Sequence, residues 1–376
     1  MIIDIKEVRG KRDLRAFIHL PAKIHVNHHN WIPPIYIDEW NFFNPKKNTA
    51  FLHCNTILFL AYNDNKVVGR VMGIINNKYN NKHGENSVRF CFLETFKNEE
   101  IVTELIHAVE NWAKGYGVNE IIGPLGFSDK DPQGMLIEGF DEPMVISTNC
   151  NYPYMVEFIE DMGFNKRLDL VVYKIDVPKN IPTFYERIHE RTIRNNPNLK
   201  IVPLKRKKDI KQYIVPVLSL MNDTFGEIYA FTPLSTEEMK EFASRYLMIL
   251  DPRFIKIVQN EKDEVVAFVL AIPDISEGIQ KSKGYVFPFG FYHILRSQKK
   301  TKRLSLLLGA VRKDHRRSGI DTMLGISLLK ETTKAGLNVI DSHLEMEKNT
   351  QVRAEMEKIG GEVYKRYRIY QKTISI

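Results

Sequence analysis

Phe59–Ile74 reads FLAYNDNKVVGRVMGI, and Ile257–Ile272 reads IVQNEKDEVVAFVLAI. Each stretch is an apolar run, a polar turn and a second apolar run opening on Val-Val, the pattern of a β-hairpin. The paired valines Val67-Val68 and Val265-Val266 stand 198 residues apart. Further along, EFIEDMGF (Glu157–Phe164) and AEMEKIGG (Ala354–Gly361) each bring a helical pattern to a glycine, Gly163 and Gly360, 197 residues apart. A helix that ends in a left-handed cap favours Gly there. A strand carrying a tyrosine follows each, Tyr173 and Tyr370, again 197 apart. Three markers at one offset predict two copies of one unit.

Between the markers lies a helix, a glycine and a strand: Ile101–Gly117 then Val118–Ile122, and Thr322–Gly336 then Leu337–Ser342. Here the offset is 219, so the second copy carries an insertion before this point and the first copy one after it. Those insertions are Ser276–Arg303 and Gly123–Asn149, and loops of this kind are candidate substrate walls. Pro178 to Pro182 reads as a linker, and Phe184–Asn195 as the helix opening the second copy. The expected division is residues 1–178 and 179–376. The element order per copy predicts an α+β fold, a mixed and mostly antiparallel sheet flanked by helices. It is not the βαβ alternation of a dinucleotide fold, and no GxGxxG or Walker A sequence occurs.

At 376 residues the chain suits two domains. Its 43% hydrophobic and 27% charged residues describe a soluble globular protein, not a disordered or membrane-spanning one. The early charges in Met-Ile-Ile-Asp-Ile-Lys exclude a secretory signal. Cys54, Cys91 and Cys150 have neither disulfide nor metal spacing, which points to a reducing cytosol and no metal. The formal charge of +8 implies an anionic partner. That charge is concentrated: eleven Lys and Arg lie between Lys281 and Arg317, against the single acid Asp314.

Within this tract the apolar strand Arg303–Val311 runs into Arg312-Lys313-Asp314-His315-Arg316-Arg317-Ser318-Gly319-Ile320 and then a helix. A strand, a basic glycine-containing turn and a helix N-terminus together suit a pyrophosphate, because peptide N–H groups, helix dipole and arginine charge converge. The turn resembles the coenzyme-A loop of the GNAT (Gcn5-related N-acetyltransferase) family, V-x-P-x-x-[RQ]-x-x-G-x-[GA]. Val311, Arg316 and Gly319 match it; Lys313 stands in place of Pro, and Asp321 in place of a small residue. Asp321 is expected to serve as the helix N-cap. The resemblance implies that Val311, Arg312, Arg316, Arg317, Ser318, Gly319 and Ile320 hold acyl-CoA or acetyl-CoA. Asn349 reads as an N-cap or a contact to the coenzyme amide. The first copy has Thr95-Phe96-Lys97-Asn98-Glu99-Glu100 in this place, where two acids would repel an anion. It is expected to be scaffold or substrate wall.

Aminolysis of a thioester needs a base for the ammonium, a donor for the oxyanion and a proton for the thiolate. If Asp341–Lys348 is one strand, His343, Glu345 and Glu347 share a face. Glu345 is the first candidate base and Glu347 the second. The tyrosine that many GNAT enzymes use as general acid falls at Met356, leaving Tyr364 or Tyr367 as substitutes.

Over its whole length the chain also resembles the bacterial ceramide-synthase-like branch of tandem GNAT proteins. The matching pieces include Trp31-Ile32-Pro33-Pro34, Gly123-Pro124-Leu125-Gly126-Phe127-Ser128, Glu138-Gly139-Phe140-Asp141, Met221-Asn222-Asp223, Phe231-Thr232-Pro233, Pro273-Asp274 and Tyr364-Lys365-Arg366-Tyr367-Arg368-Ile369-Tyr370. The resemblance implies transfer of a fatty acyl group from acyl-CoA to a sphingoid-base amine. Phe287, Phe289 and Phe291, beside the run Arg296–Arg303, suit a lipid substrate or an anionic membrane surface, while the basic run equally suits the coenzyme phosphates; Asn222 is a further candidate substrate contact. The setting is then cytoplasmic, with peripheral attachment to the inner membrane face. The competing readings are an N-acetyltransferase of a small amine, amino acid or peptide, and a nucleic-acid-binding module. No nucleic-acid motif accompanies the charge, which disfavours the last.

Overall fold

A computed structural model describes residues 3–374. In chain order the first half contributes β1 (Asp4–Glu7), β2 (Cys54–Asn63), β3 (Lys66–Asn76), β4 (Ser87–Thr95), β5 (Glu120–Gly123), β6 (Met135–Glu138) and β7 (Asn165–Asp176). The second half contributes β8 (Lys200–Ile201), β9 (Ile255–Gln259), β10 (Val265–Pro273), β11 (Arg303–Val311), β12 (Val339–Ser342), β13 (Glu345–Met346) and β14 (Glu362–Thr373). The two valine-led hairpins are β2–β3 and β9–β10, both antiparallel. The marker glycines Gly117, Gly163, Gly336 and Gly360 all take positive φ, between 68° and 84°. A side chain with a Cβ would be strained there.

The strands form one sheet in the order β1-β2-β3-β4-β5-β14-β7-β12-β11-β10-β9-β8, with β6 added to β14 and β13 to β7. The long final strands are exchanged. β14 from the end of the chain lies against β5 of the first half, and β7 from the first half lies against β12 of the second. Each half therefore completes the other's sheet, and the β7–β14 ladder between them is antiparallel along nearly its full length.

Each half also contains one parallel pair that parts. β4 and β5 are paired only over Ser87–Arg89 with Glu120–Ile122, and β11 and β12 only over Arg303–Leu306 with Val339–Ser342. Beyond these short ladders the strands diverge and open a fork in the sheet. Helices cover both faces around each fork. In the first half Ile101, Leu105, Ile106 and Val109, on the helix Glu99–Lys114, pack into a core with Val71, Val88 and Phe90. Gly69 permits the close approach: a Cβ there would lie 2.7 Å from Ile101 and 2.9 Å from Leu105. The counterpart helix, Ile320–Lys334, buries Ile320, Met323, Leu324 and Leu328 against Val258, Val266 and Leu304.

The second-copy insertion is helical, with helices at Ser276–Lys281 and Gly290–Lys300. They touch at Gly278, where a Cβ would meet Ile294 Cα at 2.6 Å. Among the described residues no helix is long and apolar enough to cross a membrane.

Candidate active site

The second fork opens beside the basic turn. β10 and β11 shift register between Leu270/Leu308 and Ala271/Leu306, and β12 stops pairing at Leu306. Leu307 thus has no Cα partner in either ladder. This β-bulge frees a peptide group from the ladder at the mouth of the fork. The chain then leaves β11, and Arg317 (φ 63°) and Gly319 (φ 83°) both adopt left-handed backbone. Ser318 lies between them, and a turn of this kind can bring N–H groups to one side as an anion-binding nest. The helix follows at once, with Met323 the first residue whose N–H reaches the Gly319 carbonyl. The N–H groups of Ile320, Asp321 and Thr322 have no acceptor one turn back.

The cations of the turn are not equivalent. Arg312 donates to Asp314 (2.8 Å) and Glu264 (3.2 Å) and is committed to acids. The Asp314 carboxyl is pulled down to about 2 by its hydrogen bonds to Arg312 and then His315. Arg316 touches only the Val311 carbonyl at 3.4 Å, and Arg317 is exposed. Among the described residues neither is drawn into an ion pair, so Arg316, Arg317 and the nest are the parts free to receive a phosphate. Asn196 braces the turn from behind by donating to the Ser318 carbonyl (3.1 Å). Nothing in the local sequence marked Asn196.

Asp321 is not the N-cap. The cap position is Gly319, with no side-chain cap bond, and Asp321 lies inside the first helical turn. Two left-handed residues start the helix earlier than the sequence pattern implied. Asp321 still faces the positive end of the helix dipole, and its charge helps burial to raise the Glu355 carboxyl.

The first fork has none of this. The helix Glu99–Lys114 is capped by its own Asn98, whose side chain accepts from the Glu100 N–H, with Glu99 and Glu100 in the first turn. The opening itself is filled. The Leu125 N–H donates to the Phe90 carbonyl, Arg89 donates to the carbonyls of Gly126 and Phe127, and the Phe127 ring packs on Phe42 and Phe51.

Around the second fork the expected single strand Asp341–Lys348 is broken. Ser342 Oγ accepts from the Tyr173 N–H (2.9 Å) and donates to the His343 carbonyl (2.8 Å). A hydroxyl has replaced a peptide group in the ladder, so β12 ends at Ser342 and β13 begins at Glu345. The alternation loses phase across the break. The His343 ring lies beside the Ile146 backbone and Glu345 within reach of the Glu355 charge. Burial pushes His343 down to about 4, and it is neutral at pH 7. Glu345 is pushed up to about 7, by burial first and by the Glu355 charge second. No hydrogen bond or ion pair holds its carboxyl among the described residues. A base poised near neutrality is what proton abstraction from an ammonium requires.

Glu347 is in a different state. Lys166 (2.7 Å) and Arg366 (2.6 Å) each take one of its oxygens, and the hydrogen bond from Lys166 holds its carboxyl below the usual range. It ties β13 to the β7–β14 ladder and is a poor base. Tyr367 is fully buried in the central core, its hydroxyl 3.1 Å from Thr148 Oγ1, and burial drives the phenol far up. It is a packing residue. Tyr367→Phe is expected to cost about 1 kcal/mol, the worth of one hydrogen bond, because Thr148 keeps its bond to the Val145 carbonyl. Turnover should be unchanged; chemical denaturation and steady-state rates check this, and a tenfold rate loss would return Tyr367 to the chemistry. Tyr364, by contrast, reaches the fork, donating to Asp341 (2.9 Å), which Arg303 also grips (2.6 Å). This Arg303–Asp341–Tyr364 cluster, centred on the buried Asp341, was not visible in the sequence.

Asn349 caps the helix Thr350–Lys358, its Oδ1 accepting from the Val352 N–H, and Met356 packs into the second-half core. Both amide ends of Asn222 are spent on the Leu234 backbone, so it clamps a loop and does not contact substrate. Phe287, Phe289 and Phe291 are exposed.

No protein-family model matches the chain. A bacterial ceramide synthase from Caulobacter vibrioides is 26% identical over 381 residues, covering 99% of this chain and 98% of that protein. Protein YghO of Escherichia coli is 25% identical over 378 residues, covering 98% of this chain and 95% of that protein. Among solved structures, a tandem GNAT protein from the clavulanic acid biosynthesis pathway matches at TM-score 0.58 and 12% identity, over 100% of this chain and 99% of that one. A GCN5-related N-acetyltransferase from Sphaerobacter thermophilus matches at TM-score 0.53 and 12% identity, over 100% and 96%. Two forks in one mixed sheet, matched end to end by a two-copy neighbour, make the chain a tandem GNAT-fold protein, similar along its whole length to a bacterial ceramide synthase.

Proposed function

We propose that the chain is an acyl-CoA-dependent N-acyltransferase whose working site is the second fork, and that its acceptor is a long-chain amine of the sphingoid-base type. The observation that carries the reading is the asymmetry between the forks: one is filled and capped by its own Asn98, the other is flanked by a left-handed nest, two uncommitted arginines and a carboxyl near pH 7. The copies meet in the Pro178–Pro182 segment, and the first serves as scaffold and as one wall of the site.

Arg316, Arg317 and the N–H groups at the start of the helix Ile320–Lys334 hold the coenzyme pyrophosphate. Glu345, directly or through water, takes the proton that makes the acceptor a neutral amine. Its nitrogen adds to the thioester carbonyl while a peptide N–H near Leu307 stabilises the oxyanion; the carbon–sulfur bond then breaks, and the proton shed by the acylated nitrogen passes, directly or through water, to the departing thiolate. Positioning and electrostatics carry most of the rate. The long-chain acceptor rests on the full-length similarity to a ceramide synthase and on exposed aromatics beside a basic run.

A thermal-shift comparison tests the coenzyme and acyl length together. Palmitoyl-CoA should raise the melting temperature more than acetyl-CoA, and acetyl-CoA more than adenosine, which lacks the pyrophosphate. Product analysis by mass spectrometry should show a long-chain amide from a sphingoid base. Acetyl transfer to short amines, with no long-chain product, would establish the small-amine enzyme instead.

A further inference from the structure

The turn Tyr285–Tyr292 exposes aromatic rings to a degree that folding alone does not explain. Phe287 is 73% and Phe289 75% exposed, with Tyr285, Phe291 and Tyr292 also on the surface. Large apolar side chains clustered in water mark a contact surface. The following helix, Gly290–Lys300, is anchored on one side only: Gly290, Ile294 and Ser297 are its buried residues. Tyr292, Arg296 and Lys299, at helical spacing on the other side, are exposed together with Lys300 and Lys302. From Gly278 to Lys313 there is no acidic residue. The surface is thus aromatic at one end, cationic at the other, and held rigidly by the contact of Gly278 with Ile294.

We propose that this excursion, Tyr285–Lys302, docks on an anionic lipid bilayer. The aromatic turn enters the headgroup region, and Arg296, Lys299, Lys300 and Lys302 lie against lipid phosphates. Aromatic rings favour that interface, and cations beside them add attraction to acidic lipids. An acidic protein partner fits less well, since the two most exposed residues are phenylalanines with no polar atom to pair. Under the lipid-acceptor reading, on which the role but not the geometry rests, docking also delivers substrate. Val286 and Ile294 continue inward to an apolar cluster with Ile275, Ile279 and Ile146, and the Ile146 backbone lies beside the His343 ring at the fork. An alkyl chain drawn from the bilayer along this cluster would bring its amine toward the second fork.

Vesicle sedimentation of the full chain, without acyl donor, tests the docking independently of turnover. Vesicles of phosphatidylglycerol and phosphatidylethanolamine should bind the chain at low salt, and pure phosphatidylcholine vesicles at least about tenfold less. Phe287→Ser with Phe289→Ser should reduce binding at least about tenfold, as should Lys299→Glu with Lys300→Glu. High salt should weaken the wild type and leave the charge-reversed variant little changed. Both double variants should keep their melting temperature and affinity for CoA, since the altered side chains are exposed. Absence of binding to anionic vesicles overturns the proposal, as does equal binding by wild type and both variants. A dimer in solution that the Phe→Ser variant converts to a monomer, with no vesicle binding, would assign the patch to a second copy of this chain. Vesicle binding without any long-chain amide product leaves the docking surface in place and removes the acceptor reading instead.

Discussion

Glu345→Gln is expected to lower turnover by about a hundredfold or more, the scale of general-base removal, and at the same time to stabilise the protein at alkaline pH. Both effects come from one carboxyl. Burial, then the charge of Glu355, lifts it to about 7, whereas in the unfolded chain it ionises near about 4.3. Between those values the folded state holds a proton that the unfolded state has released. Stability therefore falls as pH rises through this window, because the native state binds the extra proton. A glutamine carries no such liability and should gain about 1–3 kcal/mol over wild type on going from pH 5 to pH 8. The rate moves the other way: wild-type kcat/KM should rise along a limb near pH 7 as Glu345 ionises, and the variant should lack that limb. Paired denaturation curves and pH–rate profiles read both. A variant that keeps the limb would move the base to another group, and one that is less stable at pH 8 would mean the carboxylate is stabilised by a partner. A residue that costs stability and supplies rate is the usual signature of a functional position.

Some of this was readable in the sequence because it is local. A hairpin is set by its own alternation and turn, and a glycine after a helix by the φ it must adopt, so the repeat appeared at Val67/Val265 and Gly163/Gly360 and the structure has both. The exchange of β7 and β14 is not local. A strand's period of two is the same whichever edge it joins, so nothing in Asn165–Asp176 names β12 as its neighbour. The break at Ser342 is hidden for a related reason: a serine hydroxyl standing in for a peptide group leaves the apolar pattern untouched while shifting the phase of every residue after it. Glu347 looked equivalent to Glu345 because its cation Lys166 lies 181 residues away in sequence.

Several of the pieces that resemble the ceramide-synthase-like branch lie at contacts that sequence could not show. Lys365, buried and brought down to about 8 by desolvation, donates to the carbonyls of Gly139 and Glu142. Lys130 donates to the Thr232 carbonyl, Asn222 clamps Leu234, and Gly284 packs against the Pro34 carbonyl. Most of these contacts join one half to the other. They hold the interlocked sheet together, which is why motif residues such as Asn222 and Tyr367 turn out to be structural while the proposed base, Glu345, lies outside every such piece.

The asymmetry of the two forks makes the sharpest prediction about the coenzyme. Arg316→Ala should weaken CoA binding by about tenfold or more, since a charge-assisted hydrogen bond contributes about 1.5–3 kcal/mol. Gly319→Asp should weaken it by about a hundredfold, because three effects act together there. The residue sits at φ 83°, which an L side chain adopts only under strain. A Cβ would lie 3.2 Å from Thr192 Cγ2, so the turn would be pushed off the helix behind it. The new carboxylate would face the phosphate at the positive end of the helix, where a second acid already stands at Asp321. Arg312→Ala should cost less than Arg316→Ala, because Arg312 is already occupied by Asp314 and Glu264. Lys97→Ala, at the corresponding turn of the first half, should change nothing, since that helix end is capped by Asn98 and carries Glu99 and Glu100. Isothermal titration of CoA into the four variants orders these effects. Equal losses at Lys97 and Arg316 would show that the filled fork also binds coenzyme, and a tight-binding Gly319→Asp would place the pyrophosphate away from the start of the helix Ile320–Lys334.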